Sequence, residues 1–177
     1  MPRILIVIKS LIILTVCSLL AATGFSQSTM PAAKNKYYSR KDTTVLHVTN
    51  AEWKKILPAD LYAVSREQAT ERAFTGKYWN SDVKGMYYCA VCGNALFRSD
   101  AKFASTCGWP SFFEPIRKGS VTYREDRSHN MDRTEVICSR CGSHLGHIFN
   151  DGPPPTHKRF CMNSVSLDFE SDAVAKK

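Results

Sequence analysis

Two short stretches constrain this chain more than anything else in it. CAVCG sets Cys89 and Cys92 in one C-x-x-C knuckle, and CSRCG sets Cys138 and Cys141 in a second. Each ends in glycine, which permits the tight turn that lets backbone N–H groups face the sulfurs. Two such knuckles can close a tetrahedron of four thiolates around zinc, with sulfur–metal distances of about 2.3 Å. The segment between them, Gly93 to Ile137, is longer than the roughly 15–20 residues of a compact zinc ribbon. The site is therefore expected to clip two distant turns together. A closed four-sulfur site has no open coordination position, so its expected role is structural. The competing reading is two disulfides or a pair of redox C-x-x-C motifs, which an oxidising compartment permits.

The compartment is suggested by the first residues. Arg3 and Lys9 supply positive charge, and Leu11 to Ala22 is an unbroken run of apolar and small residues. That run has the length of a signal-peptide core and is short for a membrane span. Gly24-Phe25-Ser26 offers a cleavage site before Gln27, with Ala22-Thr23-Gly24 as a second. A signal peptide over 1–26 and an exported protein are expected, the alternative being an uncleaved anchor. Cys17 follows Val16, where a lipoprotein site wants a small residue. A flexible linker is expected over 27–41, a single domain over 42–171 and a tail over 172–177. The formal charge of +8 comes from 24 basic and 16 acidic residues. The excess lies in ends and loops without interleaved aromatics, which argues against nucleic-acid binding. No heptad or large apolar face points to assembly, so a monomer is expected.

Along the domain, TNAEWKKIL carries a capping box from Thr49 to Glu52 and stops before Pro58, predicting a short helix. SREQATER repeats that logic with Ser65 and Gln68. From Lys84 onward, short strand-like runs (Met86–Cys89, Val121–Arg124, Glu135–Cys138, Arg159–Phe169) alternate with Gly, Pro and Asp turns. The expected class is α+β, mainly β: short N-terminal helices on a larger antiparallel β domain.

Setting aside the knuckles and Cys17 leaves Cys107 and Cys161. In RFCMNSVSL, a strand would turn Arg159, Cys161, Asn163, Val165 and Leu167 to one side. The cysteine would then share its face with a cation and an amide, a place to hold a thiolate. The blander alternative is a small buried hydrophobe. In CGWPSF, Pro110 restricts its own backbone and that of Trp109. A fixed, exposed indole there suits a methyl group; the alternative is a core tryptophan. CGSHLGHIFNDGPP holds His144 and His147 in a Gly-rich stretch anchored by the second knuckle. Their spacing places both on one side of a turn, unless the stretch is irregular. His47, His129 and His157 lack such company and are read as solvated.

Together, GWPSF, the paired knuckles, RTEV, GSHLGHIFNDGP and RFCMNSVSL resemble the B-type methionine sulfoxide reductases, which act on the R epimer at sulfur. The likeness runs from about Trp53 to Phe169 and includes TERAFTGKY. It implies two antiparallel β-sheets, one structural zinc, and a thiol mechanism with a thioredoxin-type reductant. The substrates it implies are oxidised proteins carrying methionine-R-sulfoxide. The family usually has Asp-Ser-Gly before the GWPSF turn; here Ala104-Ser105-Thr106 stand, a departure expected to alter the mobility of the Cys107 loop.

The resemblance implies Cys161 as nucleophile and Cys107 as the second thiol. His147 and His144 would be proton donors. Arg159 is expected to lower the pKa of Cys161, and Asn163 to orient the sulfur or its partners. Trp109 and Phe112 are the candidate substrate-binding residues, with Cys89, Cys92, Cys138 and Cys141 on the metal. Two rival readings remain. A zinc-ribbon binding module would leave Cys107 and Cys161 idle, against the clustering of Trp109, His147 and Asn163. A zinc hydrolase or deaminase needs an open metal site, and the H-x-E…P-C-x-x-C pattern is absent.

Overall fold

A computed structural model describes residues 35–175. The signal-peptide reading over 1–26, the first part of the expected linker, and Lys176 and Lys177 lie outside the described residues. Helix α1 spans Asn50–Ile56. Its N-cap is Thr49, whose hydroxyl accepts the Glu52 N–H at 3.2 Å, as the T-x-x-E pattern requires. Its Trp53 is fully buried. Helix α2 spans Ala59–Glu67, and here the second capping-box reading fails. Ser65 is buried inside the last turn rather than capping the first, and Gln68 closes the C-terminus at φ 59°. Pro58 opens the helix; its fixed φ suits a helix start as well as a stop. Among the described residues no helix is long and apolar enough to cross a membrane.

Nine strands follow: β1 (Gly85–Cys89), β2 (Ala95–Arg98), β3 (Lys102–Phe103), β4 (Ser111–Phe112), β5 (Val121–Asp126), β6 (Arg133–Cys138), β7 (His144–Phe149), β8 (Arg159–Met162) and β9 (Leu167–Ser171). They form two sheets, ordered β2-β1-β9 and β3-β4-β8-β7-β6-β5, with every pair antiparallel. The expected mainly-β class with two antiparallel sheets is borne out. The sheets meet through aromatic rings. Phe97 stacks on Phe112 at 4.5 Å, Tyr87 meets Phe112 edge-on at 5.0 Å, and Phe160 tilts against Phe97 at 5.7 Å. Burial of such rings supplies most of the apolar area that holds two sheets together.

The run Arg159–Phe169 is two strands in different sheets, not one. A 3-10 turn over Ser164–Ser166 separates them. The cause is competition for the backbone. Asn163 N–H donates to the Leu145 carbonyl at 2.8 Å. The Glu71 carboxylate takes the N–H groups of Ser164 at 2.6 Å and Val165 at 3.0 Å. A run whose donors are captured by a side chain cannot continue a ladder.

The stretch Asn35–Lys41, expected as linker, is tied to the knuckles. The Asn35 side chain donates to the Val91 carbonyl at 2.8 Å, and Ser39 N–H to the Cys92 carbonyl at 3.0 Å. Arg40 pairs with Asp168 and Glu170. Arg140, inside the second knuckle yet only 3 % exposed, completes the tie. Its guanidinium donates to the carbonyls of Tyr37 (3.1 Å), Thr44 (3.2 Å) and Cys92, and to Asp42 (2.8 Å). One side chain thus joins both knuckles to the N-terminal strap. The expected tail likewise begins ordered, as helix α3 (Asp172–Ala175), with Asp172 held by Arg98 at 3.1 and 2.9 Å.

Replacing Arg140 with leucine leaves several carbonyls unpaired. It is expected to lower unfolding stability by roughly 2–3 kcal/mol, read by urea denaturation, and to make residues 35–44 sensitive to protease.

Candidate active site and metal centre

Directly opposed residues on neighbouring strands present their side chains to the same face of a sheet. One such row crosses the larger sheet: Phe103, Ser111, Cys161, His147, Glu135, Arg124. The adjacent row, with Phe112, Phe160 and Ile148, faces the other way and contributes to the core. Phe112 is therefore a core residue, fully buried and stacked on Phe97; its expected place in substrate binding is corrected. The alternation of the strand decides the matter, because Ser111 takes the site face and Phe112 must take the other.

His144 and His147 lie in strand β7, not in a turn. Three-residue spacing would put them on opposite faces of a regular strand. The register shifts between Val136, opposite Gly146, and Ile137, opposite His144. Leu145 is the extra residue of this bulge. The bulge brings both imidazoles to one face, with ring centroids 5.3 Å apart. Gly146 beside it cannot be replaced without movement: a Cβ there would stand 2.1 Å from the Cys161 carbonyl oxygen. Strands β7 and β8 approach that closely at Cys161.

The Cys161 and Cys107 sulfurs are 3.5 Å apart. Cys161 opens on a pocket of about 100 Å³ lined also by Trp109, Arg133, His147, Phe149 and Asn163. Trp109 is half-buried rather than exposed, and its indole N–H donates to the Glu71 carbonyl at 3.1 Å. Asn163, 2 % exposed, is committed to the scaffold. Its amide donates to the Leu145 carbonyl at 3.1 Å and its oxygen accepts the Glu71 N–H at 3.0 Å. Arg159 forms a two-pronged pair with Asp151, at 2.9 and 2.8 Å, and lies 4.3 Å over the Phe149 ring.

The two thiols differ in acidity. Burial, then the adjacent Cys107 sulfur, push Cys161 up to about 12; Arg159 pulls it down and is outweighed. Arg159 thus acts in the expected direction, but desolvation of a thiolate in this pocket exceeds one guanidinium shared with Asp151. At Cys107 burial opposes ionisation too. Hydrogen bonds from Ser105 (2.9 Å) and Ser111 (3.4 Å), a backbone hydrogen bond of Trp109 and one from the Cys161 thiol outweigh it and bring the thiol down to about 7. In the Ala104-Ser105-Thr106 triplet, Ala104 and Thr106 are exposed, and Ser105 faces the sulfur.

Both histidines are held by carboxylates. His147 Nε2 is 2.7 Å from Asp126 and His144 Nδ1 is 2.7 Å from Glu135. Burial lowers the His147 pKa, with Arg133 and His144 adding and Asp126 opposing. Burial would raise Glu135, but bonds from His144, Gln68 and Arg124 hold it down at about 2. Asp126 is held below the usual carboxylate range by Ser128 first, then by His147 and Arg133. His47, His129 and His157 are exposed. Sequence reading missed Glu71, Asp126, Arg133 and Glu135. The alternation of charges in YRED and in RTEV was a usable signal for three of them, since i and i+2 share a strand face. Glu71 had no local signal.

The four knuckle sulfurs are buried and all lie within 4.8 Å of one another. Gly93, at φ 80°, returns its N–H to the Cys89 carbonyl at 2.8 Å, and a Cβ there would meet the Ser39 backbone at 2.6 Å. Tetrahedral bonds of about 2.3 Å place sulfurs about 3.8 Å apart. The pairs Cys89–Cys141 and Cys92–Cys138 stand at 3.7 and 3.6 Å. The donor set therefore fits one tetrahedral metal ion, far better than two S–S bonds of about 2.05 Å. Asn94 supports it, donating to Cys138 sulfur at 3.6 Å and to the Ser120 carbonyl at 3.0 Å.

A two-sheet β domain with a four-cysteine clip and a separate pair of adjacent thiols has the construction of a thiol oxidoreductase. Comparison with known proteins narrows this. The family model described as the SelR domain matches residues 57–171. The "Peptide methionine sulfoxide reductase MsrB" of Agrobacterium fabrum is 53 % identical over 122 residues, covering 69 % of this chain and 90 % of the relative. Proteins of the same name from Methanosarcina barkeri (53 % over 126 residues, 71 % and 89 %) and Thiobacillus denitrificans (55 % over 121 residues, 68 % and 92 %) are similar to it as well. The chain belongs to the B-type methionine sulfoxide reductases, a family of oxidoreductases.

Alkylation followed residue by residue should find Cys107 reacting with a midpoint near pH 7, above which its thiolate dominates, while Cys161 stays protonated through the neutral range. Ser105→Ala removes a donor to the thiolate and should raise the Cys107 midpoint.

Proposed function

We propose that this enzyme reduces methionine (R)-S-oxide in oxidised proteins to methionine, using Cys161 as the attacking sulfur and Cys107 as the resolving one. The observation that carries the reading is the 3.5 Å contact between the two sulfurs at the edge of a pocket walled by Trp109 and His147. Near neutral pH the pair keeps one proton, which rests on Cys161. At 3.5 Å that proton can pass to Cys107, baring the Cys161 sulfur when substrate enters. The indole of Trp109 receives the methyl group, and His147 delivers a proton toward the sulfoxide oxygen.

The S–O bond breaks as the Cys161 sulfur takes the oxygen: thiol plus sulfoxide gives sulfenic acid plus thioether. Cys107 then condenses with the sulfenic acid, forming a disulfide and releasing water. A dithiol reductant of the thioredoxin type restores both thiols. The four-sulfur centre holds one structural zinc, which supplies no chemistry to the reaction and fixes the turns that carry it. The apolar N-terminal segment supports export, where the reductant must be a thioredoxin-like protein outside the cytoplasm.

Two variants divide the cycle. Cys161→Ser should abolish release of methionine from a peptide carrying the R-sulfoxide. Cys107→Ser should release about one methionine per enzyme and then stop with thioredoxin. Full activity of Cys161→Ser rejects the reading. Metal analysis should return near one zinc per chain, and a metal-free protein with four free thiols rejects the centre.

A further inference from the structure

One donor in the reactive pocket has no assigned use. Arg133 lines the pocket together with Cys161 and His147. It lies in strand β6 two positions before Glu135, so it shares the sheet face of the Cys161 row. Its Nη2 donates to Asp126 Oδ2 at 2.6 Å and to Ser128 Oγ at 3.3 Å. Asp126 Oδ2 also meets His147 Nε2. A single carboxylate therefore fixes two pocket-lining groups at once. The Arg133 Nε–H, by contrast, is buried and finds no hydrogen-bond partner among the described residues. Native folds rarely leave a buried donor unpaired without a use, and a donor on a cationic group is the costliest to leave so.

The ligand that fits has a strong acceptor and no proton of its own. We propose that Arg133 is a substrate-binding residue, whose Nε–H donates to the sulfoxide oxygen beside the Cys161 sulfur. This rests on the reading of the pocket as the sulfoxide site. A sulfoxide oxygen carries partial negative charge in the ground state and more as the sulfur is attacked. A positioned cationic donor strengthens as that charge grows, which is the condition for lowering a barrier rather than only tightening binding. The fixed Nη2–Asp126 bond holds the guanidinium, so no reorganisation is needed on arrival. Asp126 acts as a positioning residue for both Arg133 and His147. Because a carboxylate only accepts, the His147 Nε2 must carry the proton of that bond. Nδ1 is left, and it delivers a proton to the sulfoxide oxygen only from the doubly protonated ring.

The test compares sulfoxide with thioether. With the full chain, Arg133→Met should lower kcat/KM for an R-sulfoxide peptide by about ten- to a hundredfold. Competitive inhibition by the same peptide in its thioether form should be unchanged, because the thioether lacks the oxygen. Arg133→Lys, which keeps a cationic donor, should recover part of the loss. An unchanged rate in Arg133→Met overturns the assignment, as does an equal loss of thioether binding. A second measurement leaves the arginine in place. In Cys161→Ser enzyme, the 15N-detected Arg133 Nε–H resonance should move on adding the sulfoxide peptide and stay on adding the thioether peptide; no difference between the two overturns the assignment. Wild-type enzyme unable to reduce the peptide would instead defeat the reading of the pocket itself.

Discussion

Four buried sulfurs hold the architecture to its function. Cys89 and Cys92 belong to the turn between β1 and β2 in the smaller sheet, while Cys138 and Cys141 belong to the turn between β6 and β7 in the larger one. Bringing them within 4.8 Å joins the two sheets at one end, where stacked rings alone would leave them free to slide. The second turn leads directly into His144 and the bulge at Leu145. A metal ion bound there would fix where the His144–His147 face of β7 begins. Arg140 and the strap from Asn35 reinforce the same end, the strap lying before the segment that the family model matches.

The electrostatics of the site are built from shared partners. Asp126 serves His147 and Arg133; Glu135 serves His144, Gln68 and Arg124. Each carboxylate is satisfied several times over and stays ionised, so the imidazoles and the guanidinium are oriented by groups that do not themselves titrate near neutrality. The thiols follow another logic. Hydroxyls stabilise charge on Cys107, and burial denies it to Cys161. The sulfur in the pocket thus holds its proton beside a thiol 3.5 Å away that ionises more readily.

The parts of this that were legible in the sequence are those fixed by local chemistry. Paired C-x-x-C-Gly knuckles specify their own ligand set. The Thr49 cap was readable because its acceptor and donor are three residues apart. The lone cysteines near Trp109 and Asn163 stood out as company that a plain core does not keep. What escaped depends on distant partners or on count. Glu71 ends β8 from 93 residues away. Phe112 is turned inward by strand parity, and β4 is only two residues long. Arg159 was given the right sign of effect on Cys161, but its strength relative to burial depends on a pocket that no local pattern describes.

The bulge at Leu145 ties two properties of β7 together, the spacing of its histidines and the regularity of its ladder. Deleting Leu145 would straighten β7 and leave His144 and His147 two positions apart, still on one face and still opposite Ile137 and Glu135. Flattening the bulge with Leu145 kept would instead carry His144 to the opposite face, away from Glu135. A homologue that keeps the three-residue spacing must therefore keep the bulge as well, whereas one that has lost a single residue here can dispense with the bulge and still present both histidines on one face.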